Sequence, residues 1–327
     1  MRSKKIKIIF TITTLSAIIL LYTCHTFKTV SEENNDISEE NVQNQIAVNN
    51  VSNYSSPITM STTRADYSFL GSAIREIIGD EADKYSVYYW FSNYQGEDNL
   101  IINNQSRRSA SMIKVFIMSY AMEKASIGEL NLDNTLILRS ADKVGGAGVI
   151  CGWSSGTAIK ISTLIELMIT ESDNTATNMM IDYLGMENIN QYIVSNGYND
   201  SIVRRKMMDF DAVAAGHENY SSVADLGKFF TKLYNHECVN AEYDEMMIGI
   251  LKKQTDLEVL PSVLPCMEIA HKTGELDNLY DDGGIVFSPN GNFVIVIMND
   301  GIARYNAVDK MKQIVKVCYD NTYALKG

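Results

Sequence analysis

The placement of strand-like and helix-like periodicity along the chain restricts its fold more than any other feature. Two runs rich in β-branched and aromatic residues, Tyr85 to Phe91 and Leu100 to Ile102, stand near the front of the folded part and are joined by a loop of hairpin size. Three more lie near the far end, at about 267–273, 283–288 and 292–299, the last two linked by Pro289-Asn290-Gly291. Between the two groups, apolar residues recur at helical spacing near 111–125, 161–170, 175–184, 187–195, 222–234 and 243–253, and further helical runs fall at 69–78 and 305–318. Strands from both ends of a chain can share one sheet only if the helices between them form an insertion. The expected fold class is α+β, an α/β sandwich with an antiparallel five-stranded sheet built from both chain ends, flanked by helices and carrying an inserted all-helical lobe. A cleft between lobes is the natural place for a substrate site.

Composition narrows the partners. The chain has 327 residues, 46% of them hydrophobic, enough to bury a substantial core. Forty acidic side chains against 28 basic ones give a net charge of -12, a field that repels phosphates, so no nucleic-acid partner is expected. Cys151, Cys238, Cys266 and Cys318 show no C-x-x-C spacing and no histidine cluster. They are read as buried small hydrophobes, with their pairing left open, and no metal or cofactor is expected.

The first residues are of another kind. In 1–24, Arg2, Lys4, Lys5 and Lys7 precede an apolar run from Ile8 to Tyr22, the order of an export signal. Leu21-Tyr22-Thr23-Cys24 resembles a lipoprotein signal, though Tyr22 and Thr23 stand where that signal has small residues. Cleavage, an uncleaved anchor and lipidation at Cys24 all remain open. The protein is expected outside the cytoplasm, extracellular or on the cell surface, and tethered to a membrane through this segment only if the segment is not simply cleaved. Residues 25–65, rich in Asn, Ser and Glu, read as a flexible spacer. The folded body then occupies 66–327, and a monomer is expected.

Three short motifs fall on element boundaries. Ser111-Met112-Ile113-Lys114 opens an apolar-periodic helix, where residues i and i+3 share a face and a neutral amine could take the serine proton. Ser140 and Lys143 repeat the spacing but run into a glycine-rich loop. Ser172-Asp173-Asn174 lies between two helical runs, with Asp173 in the position of a helix cap. Lys272-Thr273-Gly274 lies on the first C-terminal strand, where the lysine and hydroxyl can hold a carboxylate and the glycine can let a ligand approach the backbone.

In this order the motifs resemble the class A β-lactamase group of serine active-site penicillin-recognising enzymes, over roughly 66–327. The stretch from Met168 to Asn178 and His271-Lys272-Thr273-Gly274 are similar to that group as well. The resemblance implies that Ser111 opens a β-lactam ring to an acyl-enzyme, that Lys114 activates it, and that Ser172 relays a proton to the ring nitrogen. It also implies that Asn174 binds the substrate's side-chain amide and steadies Lys114. Lys272 and Thr273 would hold the carboxylate, and the amides of Ser111 and Glu275 would form an oxyanion hole.

One departure stands out. The group's Arg-x-Glu-x-x-Leu-Asn pattern, whose glutamate activates the deacylating water, has no counterpart: no glutamate occurs between Arg204 and His217. Lys206 or Met208 takes its place, depending on the direction of counting, and Asp209, ahead of Asp211, is the expected substitute base. Glu166 is read as a surface or structural residue. Three readings stay open: a hydrolytic β-lactamase, a penicillin-binding D-Ala-D-Ala peptidase that deacylates slowly, and a non-catalytic cell-wall binding or sensory protein. The substrate is accordingly a β-lactam or a cell-wall peptide.

Overall fold

Alternate residues of the central strands enter two different cores. The computed structural model describes residues 67–92 and 99–322. The export signal, the spacer and Cys24 lie outside the described residues. The main sheet comprises β1 (Tyr85–Phe91), β2 (Leu100–Ile102), β7 (Glu268–Leu276), β8 (Leu279–Phe287) and β9 (Phe293–Asn299), in the spatial order β2-β1-β9-β8-β7. All neighbouring strands are antiparallel, as expected. On one face Val87, Tyr89, Phe91, Ile295 and Ile297 pack with α1 (Ser68–Ile78) and α10 (Arg304–Asp320). On the other, Tyr88, Trp90, Val294, Val296 and Met298 pack with the helical lobe. Burial on both faces explains why these strands read as unbroken apolar runs rather than as alternating ones.

The lobe is α2 (Lys114–Ser126), α3 (Ile161–Thr170), α4 (Asn174–Leu184), α5 (Met186–Ser195), α6 (Phe210–Ala214), α7 (Val223–Tyr234) and α8 (Ala241–Leu251). Its central element, α2, is buried around most of its circumference, with Val115, Phe116, Ile117 and Met118 all inaccessible. A helix that is apolar all round belongs inside a larger assembly of helices. Small ladders tie the lobe together: β3 (Arg107–Arg108) pairs with β6 (Tyr220–Ser221), and β4 (Thr135–Ile137) with β5 (Ala158–Lys160).

Two strand expectations need lengthening. β7 continues to Leu276 and β8 begins at Leu279, so only Asp277 and Asn278 turn between them. The sequence hid this hairpin because Asp281, Asp282, Gly283 and Gly284 break the apolar pattern, although all four are buried in the sheet. The cysteine reading is also corrected. Cys318 is buried and Cys238 half-buried, but Cys151 and Cys266 lie at the surface. A short helix, α9 (Leu260–Val263), begins with its Leu260 amide bound to Asp282. The edge strand β7 leaves its outer side to the lobe, and the three motifs meet there.

Candidate active site

Ser111 stands in a 3-10 turn, Ala110–Ile113, from which α2 continues at Lys114. Ala110, just before it, has φ +42°, a left-handed conformation that costs a non-glycine residue about 1–3 kcal/mol and must be held from outside. The Ser109 amide donates to the Asn219 carbonyl at 2.9 Å, and the Met112 amide closes onto the Ser109 carbonyl at 2.8 Å. From the other side β7 presses in. A Cβ built on Gly274 would lie 3.1 Å from both the Ser109 carbonyl oxygen and Met112 Cγ. The space on that side of Gly274 is therefore filled by the chain's own turn, which any side chain at 274 would have to displace.

Lys114 is wholly buried, and its amine donates to the Ser172 carbonyl at 2.6 Å, to Asn174 Oδ1 at 3.0 Å and to Ser172 Oγ at 3.2 Å. Three acceptors match the three protons of an ammonium. None of these bonds goes to the Ser111 hydroxyl, which the spacing alone had put beside the amine. Lys272, equally buried, reaches Ser172 Oγ at 3.1 Å and the Thr273 carbonyl at 2.7 Å. One hydroxyl thus lies between two buried amines. Burial, then the charge of Lys272, holds Lys114 well below the usual lysine range, with Asp173 opposing. Burial pulls Lys272 down to about 7, against the charges of Asp256 and Asp282.

The turn that presents Ser172 is strained too. Ser172 has φ +52°, in the left-handed region that glycine or asparagine usually fills after a helix. Asp173 secures it, as its capping position suggested: Oδ1 accepts the Ala176 amide at 2.8 Å, and Oδ2 accepts the amides of Val149 and Ile150 at 2.7 and 2.8 Å. Asn174 divides its side chain between Lys114 and the Gly145 carbonyl, 3.1 Å away. The glycine-rich loop thereby becomes a wall of the site. Its preceding Ser140 and Lys143 do not form a second pair: Ser140 meets Ser155, and Lys143 donates to the Trp153 carbonyl.

Ser111, Ser172, Asn174, Thr273 and Glu275 line one cleft of about 680 Å³. The Glu275 carboxylate pairs with Arg304. Opposite them runs the segment from Arg204 to Asn219, which is pinned at three places. Buried Arg205 and Glu218 form an ion pair, with Nε to Oε1 at 2.8 Å. Asn219 Oδ1 accepts the amides of Arg204 and Arg205. Asn178 holds the Met207 backbone from both sides, accepting its amide at 2.7 Å and donating to its carbonyl at 3.0 Å.

The side chains this segment sends into the cleft include Met207, Met208, Phe210 and Val213. Met208 and Asn174 both border Gly146, where an added Cβ would come within 2.7 Å of Asn174 Nδ2 and 2.9 Å of Met208 Sδ. Asp209 does not stand there. Its Oδ1 accepts the Ala212 amide at 3.0 Å and caps α6, so the expectation that it replaces the missing glutamate is corrected. Asp211 is exposed in the first turn of α6. Lys206 turns outward to Asp182 at 2.5 Å. Glu166 pairs with Lys253 at the surface, as expected.

Sequence reading missed the carboxylates of Glu171, Glu218 and Asp256, which also line the cleft. Asp256 lies in a stretch with no periodicity, so nothing announced it. Asn178 could have been found, because it is one helical turn beyond Asn174 on α4.

The model of the β-lactamase enzyme family matches residues 70–322. The chain belongs to the β-lactamase enzyme family. It is a β-lactamase-like hydrolase, and the family's substrates are β-lactams. No curated protein matches. Among solved structures, a β-lactamase from Sphaerobacter thermophilus DSM 20745 is similar at 24% identity and TM-score 0.71, covering 79% of this chain and 98% of that one. A mutant of PBP-A, in an acyl-enzyme complex with penicillin G, is similar at 24% identity and TM-score 0.72, with 79% and 97% covered. TLA-3 extended-spectrum β-lactamase is similar at 17% identity and TM-score 0.72, with 79% and 100% covered. At these identities the structures share the fold with this β-lactamase-family chain.

Proposed function

We propose that the protein opens β-lactam rings by nucleophilic attack of Ser111 and that its acyl-enzyme is slow to hydrolyse. The observation that carries the first half is the placement of Ser172 Oγ between the buried amines of Lys114 and Lys272, beside the strained turn that presents Ser111. Lys114, when neutral, takes the Ser111 proton, and Oγ of Ser111 bonds to the lactam carbonyl carbon. The oxygen's negative charge develops toward the amides of Ser111 and Glu275. As the C–N bond breaks, the proton on Lys114 passes through the Ser172 hydroxyl to the ring nitrogen. Lys272, with Thr273, binds the substrate carboxylate, and its positive charge keeps Lys114 neutral.

Slow deacylation is supported by the cleft face of the segment from Arg204 to Asn219. Of that segment's residues lining the cleft, Met207, Met208, Phe210 and Val213 carry no base, and Glu218 is committed to Arg205. This favours a second reading within the same chemistry, a penicillin-binding D-Ala-D-Ala peptidase. PBP-A, a protein of like fold, has been captured by penicillin G in mutant form. Intact mass followed over time with benzylpenicillin separates the readings. A transient adduct means an efficient β-lactamase, a persistent one the slow-deacylating enzyme, and none a non-catalytic protein. On its basic, then apolar N-terminus we place the protein outside the cytoplasm, carried or tethered by residues 1–24.

A further inference from the structure

On the face of β7 opposite Lys272, the buried ring of His271 has one nitrogen bonded and one not. Nδ1 lies 2.8 Å from Asp282 Oδ1, while Asp282 Oδ2 accepts the Leu260 amide at 3.0 Å. The carboxylate, an acceptor at both oxygens, takes the Nδ1–H, and a neutral ring then leaves Nε2 as an acceptor. No described residue donates to Nε2, although the side chain is only 2% exposed. Gly284 faces His271 across the ladder, where a Cβ would come within 2.7 Å of His271 Cβ, so only one side chain fits at this pair.

A cavity of about 320 Å³ opens beside that ring, a volume within the range of small-molecule sites. Gln254, Leu257, Pro261, Leu264 and Met267 line it together with His271, and of these only Gln254 also borders the cleft at Ser111. Since Nδ1 is turned to Asp282, the edge that the ring gives the cavity is the one with Nε2. The two charged side chains of the lining, Lys252 and Glu268, pair with each other at 2.7 Å. A charged ligand would therefore find no free counter-charge, whereas a neutral one with an apolar body and an N–H or O–H meets both the apolar walls and the open acceptor. We propose that this cavity is a second binding site, for a small neutral molecule that has an apolar ring or chain and donates one hydrogen bond to His271 Nε2. The site goes beyond the serine chemistry above and needs nothing from it.

The test uses two bicyclic probes of nearly equal shape: indole, which carries an N–H, and benzofuran, which does not. Each is titrated into the full chain carrying nitrogen-labelled histidine rings, at about pH 8, above the ordinary range of imidazole titration. The His271 resonances are identified by their loss from His271→Asn. Indole should bind about three- to tenfold more tightly than benzofuran, the difference that one net hydrogen bond makes, and should move the Nε2 resonance. His271→Asn, which keeps a donor for Asp282 but lacks the ring acceptor, should bind the two probes equally. Should it fail to fold, Leu257→Trp, which blocks the cavity from a position 60% exposed, should lose both probes. Equal affinities in the unmutated protein, an unmoved Nε2 resonance, no binding at all, or binding that either variant leaves unchanged overturns the proposal. Ser111→Ala should bind indole as the parent does, so a protein that never reacts with penicillin would remove the serine reading and leave this one standing.

Discussion

Lys114, Ser172 and Lys272 make up a short polar chain in which both amines are buried and only the hydroxyl meets the cleft, and its charge state sets what each member can do. Lys272 binds a carboxylate only as a cation, and burial draws its pKa to about 7. Below that value the binding form is complete, and it is lost as the pH rises through it. Since kcat/KM reports the free enzyme, the profile for a carboxylate-bearing β-lactam should fall on the alkaline side of about pH 7, whereas a carboxylate-free ester should lack that limb. Lys272→Ala should depress acylation by the charged donor far more than by the ester; equal losses would confine Lys272 to structure. Ser111, Lys114, Ser172, Asn174, Lys272 and Thr273 were legible in the sequence as three short motifs whose order resembles the class A β-lactamase group, not through spacing alone, which sets neighbours only within each motif. Asp256 was not, because its place in the cleft depends on a strap between segments far apart in the chain, from Gln254 and Thr255 to the end of α3. Asp209 misled for the converse reason: proximity in sequence to a pattern says nothing of where a carboxylate points, and at a helix start capping is its commonest use.

The segment from Arg204 to Asn219 is the element on which the fate of the acyl-enzyme turns. Asp209 caps α6, so Asp209→Asn, which can also cap, should leave deacylation unchanged, while Asp209→Ala should cost about 1 kcal/mol of stability in urea unfolding. A marked slowing of deacylation by Asp209→Asn would restore it as the base. Glu218→Ala is the contrasting case, since it strands the buried Arg205 guanidinium. Breaking such a pair typically costs about 3–5 kcal/mol, and a loss below 1 kcal/mol would show that the segment is held elsewhere. The main helices and strands were legible because their apolar faces repeat. The β7–β8 turn and the two small ladders were not, for Asp281 and Asp282 are buried by their place in the sheet rather than by any preference of their own.

Across the whole molecule, one sheet drawn from both chain ends meets a helical insertion, and the cleft between them concentrates strain and buried charge that the two cores on either face must offset. Ala110 and Ser172 are left-handed and two lysines are dehydrated, so the site weakens the fold that carries it. The effect on stability has a definite sign. Lys272 titrates near 7 when folded and at its ordinary 10.5 when unfolded, so the cost of burying it is full below pH 7 and vanishes as the pH climbs through 10.5. Lys272→Met should therefore melt at a higher temperature than the parent at pH 7, with the gap narrowing toward pH 10. No gap at pH 7 would mean that the ammonium is better satisfied than its two hydrogen bonds indicate. The most direct measurement for the whole account is intact mass against time after mixing with benzylpenicillin, for the protein and for Ser111→Ala. Ring opening without loss of atoms predicts an adduct of one whole penicillin that forms quickly, persists through slow turnover and is absent from Ser111→Ala. An adduct that survives in Ser111→Ala, or rapid turnover with no accumulating adduct, would contradict it.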